Sequence, residues 1–339
     1  MNASRGPALA TRALTKTFGP TTALAGIDLE VAPGTVFGLI GPNGAGKTTT
    51  MRILLDLVRP TSGEAEVLGV QPRSGGPALR RRIGYLPGEL ALQGRVSGRS
   101  LLAHYASISG PVAPGRVDQL AERLGLDLDR QVRTLSKGNK QKLGLVQAFL
   151  HEPELLVLDE PTSGLDPLVQ QEFLTMVREA RDAGQTVLLS SHVLSEIEQA
   201  ADTVAILRAG RIISASDVAT LRRVAIREIR ASIADATPDE VGPRLRAVPG
   251  VSDLEIRPSH DGVRVTATVE GHLDALVKTL ASYRITDLVA TEPDLEQAVL
   301  RLYTADPETT GGSTGGAAAG SAGRSGHAPH PRHAGKAMS

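Results

Sequence analysis

From Ala8 to about Ile213, short β-branched apolar runs alternate with amphipathic helical stretches, the pattern of an α/β layered domain. Val36-Phe37-Gly38-Leu39-Ile40 reads as a buried strand, and Thr48 to Val58 reads as a helix stopped by Pro60. Leu155–Leu158 and Thr186–Leu189 read as two further buried strands, each preceded by a helix. Ser97 to about Gly125 is mostly helical in pattern, so a helical insertion, about 97–150, is expected on the sheet of a first domain spanning 8–220.

After about Ala225 the pattern changes. Val263, Val265, Ala267 and Val269 alternate with Arg264, Thr266 and Thr268, the period-two signature of a half-buried strand. Leu273, Leu276, Val277 and Leu280 recur at helical spacing, as do Leu295, Ala298, Val299 and Leu302, so two helices are expected, each with one apolar stripe. With strands near Arg227–Ile233, Val251–Ile256 and Ile285–Ala290, residues 225–305 read as a small α+β accessory domain of ferredoxin-like type. From Thr309, Gly, Ala, Ser and Pro dominate, and such a segment lacks the apolar surface to offset its ordering entropy, so 309–339 is expected to be a disordered tail. His327, His330 and His333 lie three apart there, and no metal site is expected of them.

Composition narrows the chemistry. The 339 residues suggest about two domains at roughly 150 residues each. With no cysteine, disulfides, thiolate zinc sites, iron–sulfur clusters and a thiol nucleophile are excluded. Lys+Arg and Asp+Glu each number 37, so the chain lacks the basic excess that collects phosphate backbones, and no nucleic-acid partner is expected. No apolar run approaches the roughly 18 residues of a spanning helix, and the first residues lack the apolar core of a signal peptide. The expected location is therefore the cytoplasmic side, with any action at a membrane exerted through a partner chain.

The segment Gly41-Pro42-Asn43-Gly44-Ala45-Gly46-Lys47-Thr48 fits G-x-x-x-x-G-K-[ST], directly after a strand and before a helix. A structural glycine turn would also contain such glycines, but the flanking strand and helix are the context that phosphate binding requires. In this reading backbone N–H groups of the loop, through Thr49, wrap polyphosphate, Lys47 reaches the β- and γ-phosphates, and the Thr48 hydroxyl ligates Mg²⁺. Downstream, the apolar strand Leu155–Leu158 ends in Asp159-Glu160, at the carboxyl end where open α/β sheets place ligands. Asp159 would hold Mg²⁺, and Glu160 would polarise the attacking water for in-line displacement at the γ-phosphorus.

Leu135-Ser136-Lys137-Gly138-Asn139-Lys140-Gln141, between these two elements, resembles the signature Leu-Ser-Gly-Gly-Gln of the ATP-binding subunits of ATP-binding-cassette (ABC) transporters. Lys137 and Asn139 depart from it. Pro161 to Pro167 matches the family's D-loop, and His192 in Ser190-Ser191-His192 matches its switch histidine. Phe18 stands where the family stacks an aromatic ring on adenine, and core packing is the alternative role for that ring. The resemblance covers roughly residues 8–220 and implies a P-loop NTPase fold with ATP and Mg²⁺ as cofactors. Catalysis would fall to Glu160, His192 and Lys47, while Ser136 and Gly138 would reach nucleotide held by a second copy. The family's Q-loop glutamine is missing: Gly88 stands at its place in Tyr85-Leu86-Pro87-Gly88-Glu89, and Glu89 is the nearest side chain able to substitute.

The signature and the appended small domain look like ATP-binding subunits of drug-resistance and ABC-2 type exporters. Two copies would then close head to tail around ATP and drive a separate transmembrane permease. The alternative, a soluble ABC ATPase acting on DNA or ribosomes, is disfavoured because the chain has one cassette and no long coiled-coil insertion between Lys47 and Leu135. A regulatory module that never hydrolyses is disfavoured by the presence of Lys47, Asp159, Glu160 and His192.

Overall fold

The computed structural model describes residues 6–220, 227–269 and 271–291. Strands β1 (Leu9–Phe18) and β2 (Thr21–Val31) lead into β3 (Val36–Ile40), helix α1 (Lys47–Leu54) and β4 (Ser62–Val67). Then come α2 (Pro72–Arg80), β5 (Ile83–Leu86) and a helical run of α3 (Gly98–Ser109), α4 (Arg116–Arg123) and α5 (Lys137–Phe149). The chain continues through β6 (Leu155–Asp159), α6 (Pro167–Asp182), β7 (Thr186–Ser191), α7 (Leu194–Ala200), β8 (Thr203–Arg208) and β9 (Arg211–Asp217).

A six-stranded sheet ordered β5-β6-β7-β3-β8-β9 is parallel from β5 to β8, with β9 antiparallel at one edge. A three-stranded antiparallel sheet, β2-β1-β4, packs beside it. The inner parallel strands are apolar at nearly every position because both of their faces are buried. Leu156, Leu158, Val187 and Leu189 pack with Leu102, Leu120, Leu143 and Phe173 of the helices. Leu155, Val157 and Leu188 pack on the opposite side with Leu14, Ile27, Met51 and Leu54. Odd residues of β6 and even residues of β7 therefore share the face that carries α1, a parity that decides the site below.

Helix α1 ends at Leu54 rather than running to Val58 as its pattern suggests. The amides of Leu57 and Val58 both return to the carbonyl of Arg52, and Asp56 adopts φ 57, so the chain turns before Pro60.

The second unit of the pattern is β10 (Arg227–Ala234), α8 (Pro238–Arg246), β11 (Val251–Ser259), β12 (Gly262–Val269), α9 (Asp274–Leu280) and β13 (Arg284–Thr291). This βαββαβ order with sheet order β11-β12-β10-β13 is the ferredoxin-like arrangement. Ile229, Ile233, Val263 and Val265 pack against Val241, Leu245, Leu276 and Leu280 in a core of their own. The expected α9 stripe is narrower than its spacing suggested: Val277 is 46% exposed and Leu273 stands at the cap, leaving Leu276 and Leu280 as the buried pair. The expected helix through Leu295 and Leu302, the tail from Thr309 with its three histidines, and the boundary at Ala225 lie outside the described residues. Among the described residues no helix is long and apolar enough to cross a membrane.

Candidate active site

Strands β3, β5, β6 and β7 run parallel, so their carboxyl ends deliver four loops to one edge of the sheet. The loop after β3 needs glycine where it is packed hardest. A Cβ on Gly41 would lie 2.4 Å from the carbonyl oxygen of Leu207, and one on Gly46 would lie 2.7 Å from that of Ala23, with Gly46 also at φ 115. Gly46 caps α1 with no side chain and no acid follows in the first turn, so the amides of Lys47, Thr48 and Thr49 remain available for an anion.

The Lys47 side chain is 6% exposed and folds back over its own loop. Its Nζ donates to the carbonyl of Gly41 at 2.6 Å and lies 3.3 Å from Glu160 Oε1. Thr48 Oγ1 donates to Asp159 Oδ2 at 2.7 Å, across 111 residues of chain. Asp159 is 1% exposed at the end of β6, and its second oxygen accepts from Ser190 Oγ at 2.6 Å. The same serine hydroxyl accepts from the amide of Glu160 at 3.0 Å.

Glu160 follows Asp159 with φ 48, a left-handed turn that swings its carboxylate away from its neighbour's. One oxygen meets Lys47, and the other lies 2.6 Å from His192 Nδ1 in the loop after β7. Gln141, buried on α5, donates from Nε2 to the carbonyls of Glu160 and Pro161, tying the signature helix to this turn. Tyr85, on β5, has its phenol held above its usual pKa chiefly by burial and then by the negative charge of Asp159, with Arg52 opposing.

These contacts gather Lys47, Thr48, Asp159, Glu160 and His192 into one cluster. Among the described residues no hydrogen bond or ion pair joins Phe18, Ser136 or Gly138 to it. Ser136 is exposed and caps α5, its Oγ accepting from the Asn139 amide at 3.3 Å. Phe18 is 50% exposed beneath the Lys16 ammonium, 4.7 Å from ring centroid to Nζ, which excludes core packing as its role. Pro42, Asn43 and Gly44 are exposed at the tip of the phosphate loop, while Ala45 is buried beneath it. Gly88 approaches Asp159 so closely that a Cβ there would lie 3.1 Å from Oδ2, and Glu89 beside it is exposed.

The donor set suits a small hard cation. A threonine hydroxyl and a carboxylate side by side offer oxygen alone, and Mg²⁺ takes few protein oxygens, filling its remaining positions with water and phosphate. Sequence reasoning missed Gln141 and Ser190 as parts of the site. The register of β6 against β7, which pairs Asp159 with Ser190, sets the serine on the Asp159 face of the sheet.

A family model described as ABC transporter matches residues 24–163. The daunorubicin resistance ATP-binding protein DrrA3 of Streptomyces coeruleorubidus is 36% identical over 297 residues, 85% of this chain and 93% of that protein. The bacitracin transport ATP-binding protein BcrA of Bacillus licheniformis is 38% identical over 203 residues, 59% of this chain and 66% of that protein. Among solved structures, an ATP-binding subunit of an ABC transporter superposes with a TM-score of 0.58 at 30% identity, covering 63% of this chain and 92% of that one.

Proposed function

The chain belongs to the ABC transporter family as an ATP-binding, ATP-hydrolysing subunit, and from that premise we propose how its residues divide the work. Lys47 and the backbone N–H groups of the Gly41–Thr49 loop, other than Pro42, which has none, bind the β- and γ-phosphates, and Phe18 stacks on the adenine. Thr48 and Asp159 would hold Mg²⁺, which when bound would neutralise phosphate charge. Glu160 accepts a proton from the attacking water, and His192 orients it through the 2.6 Å contact.

The ion pair between Lys47 and Glu160 gives this reading a sequence of events. Without nucleotide the cation and the base neutralise each other. Phosphates that draw Lys47 away leave Glu160 in contact with His192 but without its cation, so the base is freed from Lys47 when substrate arrives. The observation that carries the proposal is this single cluster at the ends of β3, β6 and β7.

In the fuller reading, two copies close head to tail, each lending Ser136 and Gly138 to nucleotide on the other, and ATP favours the closed pair. Residues 8–220 form the motor and 225–305 an accessory domain. Closure drives a separate permease at the cytoplasmic face of the membrane. Export of a drug-like compound is supported by the two relatives, one a daunorubicin resistance and the other a bacitracin transport ATP-binding protein.

Lys47→Ala tests the cluster. Loss of a charge-assisted contact worth about 1.5–3 kcal/mol should weaken binding of a fluorescent ATP analogue about tenfold or more. Affinity within about twofold of wild type would remove Lys47 from the phosphate site.

A further inference from the structure

We propose that Ser190 is a positioning residue for the Mg²⁺-binding carboxylate, a role resting on the reading of Asp159 as the metal's protein ligand. Ser190 is wholly buried in a strand whose preceding residues are Val187, Leu188 and Leu189. A hydroxyl at such a place is costly unless bonded, and this one is bonded to the two residues that matter most. It donates its proton to Asp159 Oδ1 at 2.6 Å and accepts the Glu160 amide at 3.0 Å. A serine hydroxyl has one proton to give and lone pairs to accept with, so both bonds form together.

The geometry has two consequences. Asp159 is gripped at both oxygens, Oδ2 by Thr48 and Oδ1 by Ser190. When the Thr48 hydroxyl turns toward a cation, Ser190 is the grip that stays and keeps the carboxylate plane aimed. Glu160, meanwhile, sits at φ 48, a conformation that costs a non-glycine residue energy and needs support on both sides. Its amide is anchored by Ser190 and its carbonyl by Gln141. The neighbouring Ser191 cannot take over, because it faces the other side of the sheet and donates to Glu196 on α7.

The test titrates Mg²⁺ against binding of a fluorescent ATP analogue to the full chain, comparing wild type, Ser190→Ala, Ser190→Cys and Asp159→Asn. Partners behind metal ligands are commonly worth about 10- to 100-fold in metal affinity. Ser190→Ala should therefore raise the half-saturating Mg²⁺ concentration about tenfold or more, leaving nucleotide affinity in EDTA unchanged. Ser190→Cys, similar in size with a weaker donor, should fall between, and it serves as the variant to read should the alanine chain not fold. If Asp159→Asn moves the Mg²⁺ midpoint and the Ser190 variants do not, the positioning role is wrong while the metal assignment stands. A midpoint unmoved by Asp159→Asn removes the metal assignment and this inference with it. Equal losses with and without Mg²⁺ for both Ser190 variants would make the serine a packing residue only.

Discussion

At the scale of single residues, the signature shows how a departure from the family pattern is tolerated at one position and not at its neighbour. Lys137 replaces a glycine, yet its side chain is exposed and reaches along the surface, with Nζ 3.4 Å from Ser163 Oγ. Gly138 has no such room, because a Cβ there would sit 2.7 Å from the carbonyl oxygen of Gly164 in the D-loop. That contact is with backbone and does not move aside cheaply. Gly138→Ala should cost about 1–3 kcal/mol of stability by overpacking, against about 1 kcal/mol or less for Lys137→Gly from helix propensity. Urea denaturation of the two variants checks the order, and a Gly138→Ala chain as stable as wild type would contradict the close approach.

At the scale of elements, the turn between α5 and β6 holds a titratable group that no catalytic role claims. Burial lowers the pKa of His151 below its ordinary 6.5, and a hydrogen bond with the backbone of Ile83 opposes that shift. Below that value the unfolded chain binds the proton more readily than the native one, so stability is full above about pH 6.5 and declines as the solution becomes more acid. His151→Leu should flatten the decline below about pH 6.5, measured by urea denaturation at several pH values. A slope unchanged by the substitution would exclude His151 as its source. The elements also mark the limits of what the sequence made legible. Strands with both faces buried, such as β3, β6 and β7, were read directly because they are apolar throughout. Strand β4 was not, since Val67 is its one fully buried residue and its Ser-Gly-Glu start looks like a loop. Helix α8 was hidden by Gly242 and Pro243, which sit inside it while Val241 and Leu245 hold the core contact. The Lys47, Asp159, Glu160 and His192 set was legible from motif order, whereas the grip of Ser190 on Asp159 depends on strand register, which no local pattern encodes.

At the scale of the whole molecule, the fold makes distant segments of chain depend on one another at a single edge. The phosphate loop, the end of β6, the loop after β7 and the start of α5 meet through Thr48, Asp159, Ser190, Glu160, His192 and Gln141. In the proposed cycle Glu160 is the base whose work reopens an ATP-closed pair. Glu160→Gln keeps the side chain's shape and leaves Lys47, Thr48 and Asp159 to hold nucleotide, so binding and hydrolysis should separate. The decisive measurement is size-exclusion chromatography of Glu160→Gln in MgATP, with phosphate release followed on the same sample and Ser136→Arg added as the interface control. The account predicts a stable ATP-dependent dimer, turnover lower by about a hundredfold or more, and a return to monomer when Ser136→Arg is added. Wild-type turnover, or a Glu160→Gln chain that stays monomeric in MgATP, would contradict it.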